Sequence, residues 1–233
     1  MTSAPPPPAD RDATRAFYDR ISRAYHLLAD AAEHEARETG LRLLGVRAGE
    51  RVLEIGFGTG HALVRLARAV GKRGSVAGID FSQGMTDVAR EQLAEAGLAE
   101  RVDLRCVVVP PLPFADGSFD AVFLSFTLEL FPDDAIPGVL ADVRRVLRGE
   151  GRVGVVALSA PPSGTRDRLL ERAYRWMHRT FPHIVDCRPI DVEGALRAAG
   201  FRITRRTGLE IWTLRVAAAV AIAPPVVSVA AAK

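Results

Sequence analysis

The chain has 233 residues, 48% of them hydrophobic and 25% charged, with a formal net charge of +3. That length can bury one large core or two small ones, and the modest charge excludes a disordered polyelectrolyte and argues against a nucleic-acid partner. Its two cysteines, Cys106 and Cys187, form no disulfide framework and match no metal-ligand spacing, so reduced thiols in a cytoplasmic protein without a metal site are expected.

In chain order, "MTSAPPPPADRD" has neither a basic start nor an apolar stretch, which excludes a signal peptide. Its four consecutive prolines predict a disordered leader over residues 1–12. Strand-like apolar runs follow at Arg51–Ile55, Ser75–Asp80, Val102–Val109, Phe119–Phe126, Gly151–Leu158, Phe201–Arg206 and Arg215–Ala221. Amphipathic helix patterns lie at His61–Val70, Thr86–Ala96 and Ala135–Leu147, with Gly97 and Gly149 as stop signals. Apolar strands alternating with helices predict an α/β fold: a doubly wound, Rossmann-like sheet of seven strands with helices on both faces. The last two runs have no helix between them and are expected to form an antiparallel hairpin at one edge. One domain over residues 13–222 is expected. A tail over 223–233 follows, where Pro224 and Pro225 interrupt an apolar stretch too short to span a membrane.

The chemistry concentrates in "VLEIGFGTG", residues 52–60, where Gly56, Gly58 and Gly60 follow the first strand and open a helix. Bare backbone N–H groups at a helix N-terminus suit a polar or anionic ligand group, and close helix packing is the other reason to place glycines there. A nicotinamide fingerprint needs a third glycine where this chain has His61, so a dinucleotide-dependent oxidoreductase is the alternative reading. Asp80 ends the second strand beside this loop and can accept both hydroxyls of a ribose, or else cap the helix that follows.

The stretches "VLEIGFGTG", "AGIDFSQGM", "LPFADGSFDAVFLSF" and "LRGEGRVGVV", in that order, resemble the successive motifs of class I S-adenosylmethionine-dependent methyltransferases. The likeness runs from about Phe17 to Ala221 and is greatest to the ubiquinone/menaquinone-biosynthesis type. The resemblance implies S-adenosyl-L-methionine as cofactor and a small, lipophilic acceptor of quinone, lipid or secondary-metabolite type. It implies that Glu54, Gly56, Gly58, Thr59 and Gly60 surround the methionine part of the cofactor. Asp80 would hold the ribose, Phe81 and Met85 would flank the adenine, and Ser125 would face the crevice. A cofactor-binding module without catalysis is the non-enzyme alternative.

Two positions depart from the family pattern. Val108 stands at the adenine edge, where an acidic residue is usual. In "FYDRISRAYHLLAD", which resembles a segment that closes over the cofactor, His26 replaces the usual Asp after the second of the candidate lid tyrosines, Tyr18 and Tyr25. Methyl transfer from a sulfonium needs alignment and no protonation of the leaving group, so a base serves only a protonated acceptor. Glu129, His183 and His26 are the candidates for that role, with His178 behind them. A helical insertion is expected near residues 163–190, where "DRLLERAYRWMHRTF" sets Arg168, Arg172, Arg175 and Arg179 against an apolar face. It reads as an amphipathic cover, or as a face for an anionic acceptor or a membrane surface.

Overall fold

The computed structural model describes residues 33–160, 188–211 and 214–224. The leader, Tyr18, Tyr25, His26, the arginine-bearing stretch, His178, His183, Cys187 and the end of the tail lie outside the described residues.

Seven strands build one sheet in the order β3-β2-β1-β4-β5-β7-β6. They are β1 (Arg51–Ile55), β2 (Ser75–Asp80), β3 (Val102–Cys106), β4 (Phe119–Ser125), β5 (Leu147–Leu158), β6 (Arg202–Ile211) and β7 (Leu214–Ile222). The five strands β1–β5 pair in parallel, whereas β7 runs antiparallel to both β5 and β6. The expected hairpin is therefore present, with its second strand slotted inside the sheet and β6 left at the edge.

Helices cover both faces, which is why the parallel strands read as continuous apolar runs. On one face lie α1 (residues 33–44), α2 (His61–Val70) and α3 (Gln83–Glu95), packed on Val52, Phe123 and Val156. In α1 the buried residues recur every fourth position, at Ala36, Gly40 and Leu44. A Cβ on Gly40 would sit 2.2 Å from Val156 Cγ2, so the missing side chain lets α1 lie directly on the sheet. The other face carries α4 (Ile136–Val146) and α5 (Val192–Ala198) over Leu53, Ile55, Val122 and Val155.

Element ends differ from the sequence reading for identifiable reasons. Helix α3 starts three residues before the expected Thr86, because Ser82 caps it by accepting the Met85 N–H at 3.1 Å. Gly97 does end α3, with the Gly97 and Leu98 amides bonded back to Ala94 and Leu93. Gly149 does not end α4: the chain turns extended at Leu147, and the left-handed residue in that turn is Glu150, φ 63°. Strand β3 stops at Cys106 rather than Val109. Val107 still donates to the Asp80 carbonyl at 2.8 Å, and Pro110 and Pro111 then supply no donors to continue the ladder. Helices α1 and α5 have no counterpart in the sequence reading. α5 is only seven residues long, too short for a 3.6-residue period to stand out.

Candidate active site

The carboxyl ends of β1, β2 and β4 meet where the strand order reverses, the place at which open α/β sheets take ligands. The glycine loop leaves β1 and is seated on β2 by its backbone. The Gly56 and Phe57 amides donate to the Ile79 carbonyl at 2.7 and 3.3 Å. The buried Phe57 ring lies over Gly78, where any Cβ would come within 2.9 Å of it.

Its three glycines serve three different ends. A Cβ on Gly60 would press on Ala89 Cβ at 2.9 Å, so Gly60 lets the start of α2 pack against α3. A Cβ on Gly56 would lie 2.3 Å from the Thr127 hydroxyl oxygen. Around Gly58, φ 51°, nothing stands within 4 Å of the Cβ position, so its bare backbone faces open space. Close packing explains two of the glycines, and ligand approach fits the third.

Asp80, 6% exposed, holds this loop. Its Oδ2 accepts the Gly58 N–H at 2.9 Å and its Oδ1 accepts the Ser82 N–H at 2.9 Å. An ionised carboxylate only accepts hydrogen bonds, so these two backbone donors fix its orientation beside the loop. The capping alternative falls to Ser82, which caps α3 in its place.

Glu54 lies 2% exposed, on the α1-covered face with Val52 and Phe123, and its Oε2 has no hydrogen-bond partner among the described residues. Burial pushes its carboxyl well above the ordinary value; Arg37 opposes that rise and the nearby Asp80 adds to it. Thr59 is buried in the glycine loop, and Met85 is buried in the first turn of α3, while Phe81 is half-buried between them and Asp80.

The exit of β4 forms the opposite wall. Ser125 Oγ is buried with no partner among the described residues. Phe126 turns the chain at φ 52°. Glu129 is fully buried, and its Oε1 accepts the Leu158 N–H at 3.0 Å, which fastens the turn after β4 to the end of β5. That bond makes Glu129 part of the wall. Val108, past the end of β3, is 55% exposed and makes no such tie.

Residues 52–151 match the family model of a methyltransferase domain. That stretch is less than half of the chain, and it holds the glycine loop, Asp80 and the β4 exit. The chain is 33% identical over 144 residues to demethylmenaquinone methyltransferase of Lactobacillus johnsonii, a match spanning 62% of this chain and 57% of that one. The Staphylococcus aureus enzyme of the same name is 34% identical over 157 residues, 66% of this chain and 63% of its own. The match thus spans about three fifths of these curated relatives. Among solved structures, the cyclase SpnF superposes with a TM-score of 0.73 at 20% identity, covering 97% of this chain and 100% of that one. A 1,6-didemethyltoxoflavin-N1-methyltransferase from Burkholderia thailandensis, solved with its substrate and S-adenosylhomocysteine bound, gives 0.68 at 20% identity, covering 96% of this chain and 93% of that one.

The fold brings Glu54, Gly56, Gly58, Thr59, Gly60, Asp80, Phe81 and Ser125 to one end of the sheet. Sequence reasoning missed two groups, one at this end and one toward the foot of the sheet. Thr127 rests against Gly56 and has no spacing signature. Arg145 of α4 gathers the "LPFAD" stretch: it donates to the Leu112 carbonyl at 2.9 Å and the Phe114 carbonyl at 2.7 Å, and pairs with Asp116 and Asp142. One of two adjacent arginines, Arg144 and Arg145, in the last turn of an amphipathic helix reads as a solvated charge, so only the fold reveals this one. No helix among the described residues is long and apolar enough to cross a membrane.

Proposed function

We propose that the protein is an S-adenosyl-L-methionine-dependent methyltransferase of the menaquinone-biosynthesis type, acting on a small, lipophilic acceptor of quinone character. The observation that carries the reading is the buried Glu54 oxygen without a partner among the described residues, on the strand that runs into the Gly58 loop held by Asp80. These residues fit the cofactor group by group. Glu54 suits an ammonium, the Gly58 stretch leaves room for the chain to pass, and Asp80 has acceptors for a ribose diol. When bound, the cofactor supplies a methyl group on a sulfonium. The protein's part is to hold an acceptor atom in line and keep water out, and alignment of this kind is worth roughly 7–11 kcal/mol.

Glu129 acts in this reading by holding the wall, because its Oε1 serves the Leu158 amide. A base, where the acceptor needs one, falls to His26 or His183. The quinone character rests on the named relatives, and contact with a lipid surface at the cytoplasmic side goes with an acceptor of that kind. SpnF, with this fold, is named a cyclase, so fold alone does not carry the activity and the cofactor test must come first. Thermal unfolding with S-adenosylmethionine, S-adenosylhomocysteine and NAD(P) should show a raised midpoint with the first two only. A shift with NAD(P) alone overturns the reading.

A further inference from the structure

Thr127 stands immediately before the short helical turn Leu128–Leu130, in the position where a threonine hydroxyl ordinarily caps. It makes no cap. Its hydroxyl is directed the other way, 3.0 Å from the Ser125 carbonyl and 3.4 Å from the Gly56 carbonyl, across 71 positions of sequence. Phe126 at φ 52° is a bulky residue in a region that disfavours it, and this turn delivers the Thr127 side chain inward, where it is 6% exposed. The contact is reciprocal. At Gly56 a Cβ would lie 2.3, 2.4 and 2.9 Å from the Oγ1, Cγ2 and Cβ of Thr127, so the whole threonine side chain occupies the space that the glycine leaves.

We propose that Thr127 is a positioning residue that sets the spacing between the glycine loop and the β4 exit, and thereby between bound cofactor and acceptor. The inference rests on the functional reading above, since it gives the two walls their roles. The hydroxyl donates its one proton to the nearer Ser125 carbonyl and rests 3.4 Å from the Gly56 carbonyl, while the methyl and Cβ hold the two backbones apart. Ser125 and Gly56, the last residue of one strand and the first beyond its neighbour, are the two backbones so gauged.

The test is a mutant cycle read by calorimetry with S-adenosylhomocysteine, alongside urea unfolding without ligand. Gly56→Ala should weaken the ligand about tenfold or more, because Gly56 sits at φ 71° and the new methyl group also meets Thr127; only the second part of that loss can be relieved at Thr127. Thr127→Ala by itself should cost a few-fold, and Thr127→Ser, which keeps the hydroxyl, should restore most of that loss. The decisive variant is the double Gly56→Ala/Thr127→Ala, which should bind severalfold more tightly than Gly56→Ala alone, although it carries one more truncation. A purely structural threonine would instead give additive losses that track urea stability, and that result overturns the inference. Wild-type protein that binds neither S-adenosylhomocysteine nor S-adenosylmethionine overturns the functional reading and this inference together. Wild type that binds, with a double variant no better than the single one, overturns this inference alone.

Discussion

Glu50, just before β1, and Glu54, near its other end, have opposite surroundings. Glu50, at the foot of the sheet, takes a two-pronged ion pair from Arg152 at 2.7 and 3.0 Å and the Arg47 N–H at 2.9 Å. Burial alone would raise its carboxyl, but the Arg152 and Arg47 hydrogen bonds and charges more than reverse that, leaving it below the ordinary value. Asp120 at the same end accepts the Arg51 N–H at 2.7 Å and pairs with Arg148. Four residues on, Glu54 is buried with a bare oxygen and a raised carboxyl. The foot spends its charges on holding strands together, and the top leaves polar groups open at a cost in stability. Buried polar atoms without hydrogen bonds at Glu54 and Ser125, beside the glycine loop, are the reason to look for the ligand at this end.

The largest effect expected is at the foot. Arg152 also donates to the carbonyls of Leu44 and Gly45, so it joins α1 to β5 as well as holding Glu50. Arg152→Met should cost about 3 kcal/mol, because it leaves a mostly buried carboxylate and two carbonyls without their donor. Urea unfolding measures the loss, and S-adenosylhomocysteine affinity should stay near wild type once the folded fraction is counted. A parallel loss of affinity would show that foot and top are not independent.

Asp80→Ala tests the top. It removes the acceptor of two backbone donors, Gly58 and Ser82, and the ribose acceptor of the proposed site at once. We expect stability to fall by about 1–2 kcal/mol and cofactor affinity by about thirtyfold, the latter worth about 2 kcal/mol. Asp80→Asn, which keeps one acceptor oxygen, should fall between the two. Unchanged affinity by calorimetry would confine Asp80 to holding the loop.

The two glutamates predict opposite pH behaviour. Glu50, with its pKa lowered in the fold, contributes stability above the ordinary carboxyl value of 4.5 and loses it as pH falls through its lowered pKa. Glu54, with its pKa raised, keeps its proton in the fold while the unfolded chain releases it, so its contribution is lost as pH rises from 4.5 toward its raised pKa. Glu54→Gln removes that loss. The variant should gain stability over wild type between pH 4 and pH 7.5 in urea titrations without ligand, while losing cofactor affinity at the higher pH. A constant difference across that range would mean that Glu54 ionises freely in the fold.

How much of this the sequence shows depends on whether the signal is local. The strands, the glycine loop and Asp80 are legible because each rests on a short run with its own periodicity or spacing. Arg152 and Thr127 are not, since their partners lie 102 and 71 positions away and only the folded sheet brings them together. The roles of the glycines are half legible. The motif marks Gly56, Gly58 and Gly60 alike, and it takes the positions of Thr127 and Ala89 to separate the two packing glycines from the one that faces open space. Glu129 is half legible in the same way: its place after β4 is read from the sequence, and its bond to the Leu158 amide, 29 positions away, is seen only in the fold.

The smallest effect is the one that sharpens the adenine end of the site. Val108 is the single large hydrophobic residue standing exposed among the described residues, at the position where the family resemblance expects an acid. The backbone here is held from both sides: Val107 donates to the Asp80 carbonyl, and Asp142 and Arg145 clamp the stretch from Leu112 to Asp116. A side chain changed at Val108 therefore starts from a fixed main chain. Because it is solvent-exposed, Val108→Asp should leave stability within about 0.5 kcal/mol of wild type. A new carboxylate acceptor for an exocyclic amino group should tighten S-adenosylhomocysteine binding by about 1 kcal/mol, roughly fivefold, since the bond forms partly in water. Val108→Asn offers an uncharged acceptor of the same reach and should gain less. Calorimetry at low and at moderate salt separates the two, because only the charged bond weakens with screening. If Val108→Asp binds no better than wild type, the adenine edge lies against another residue, and the carry-over from the family pattern fails at this position while leaving the ribose and methionine ends in place.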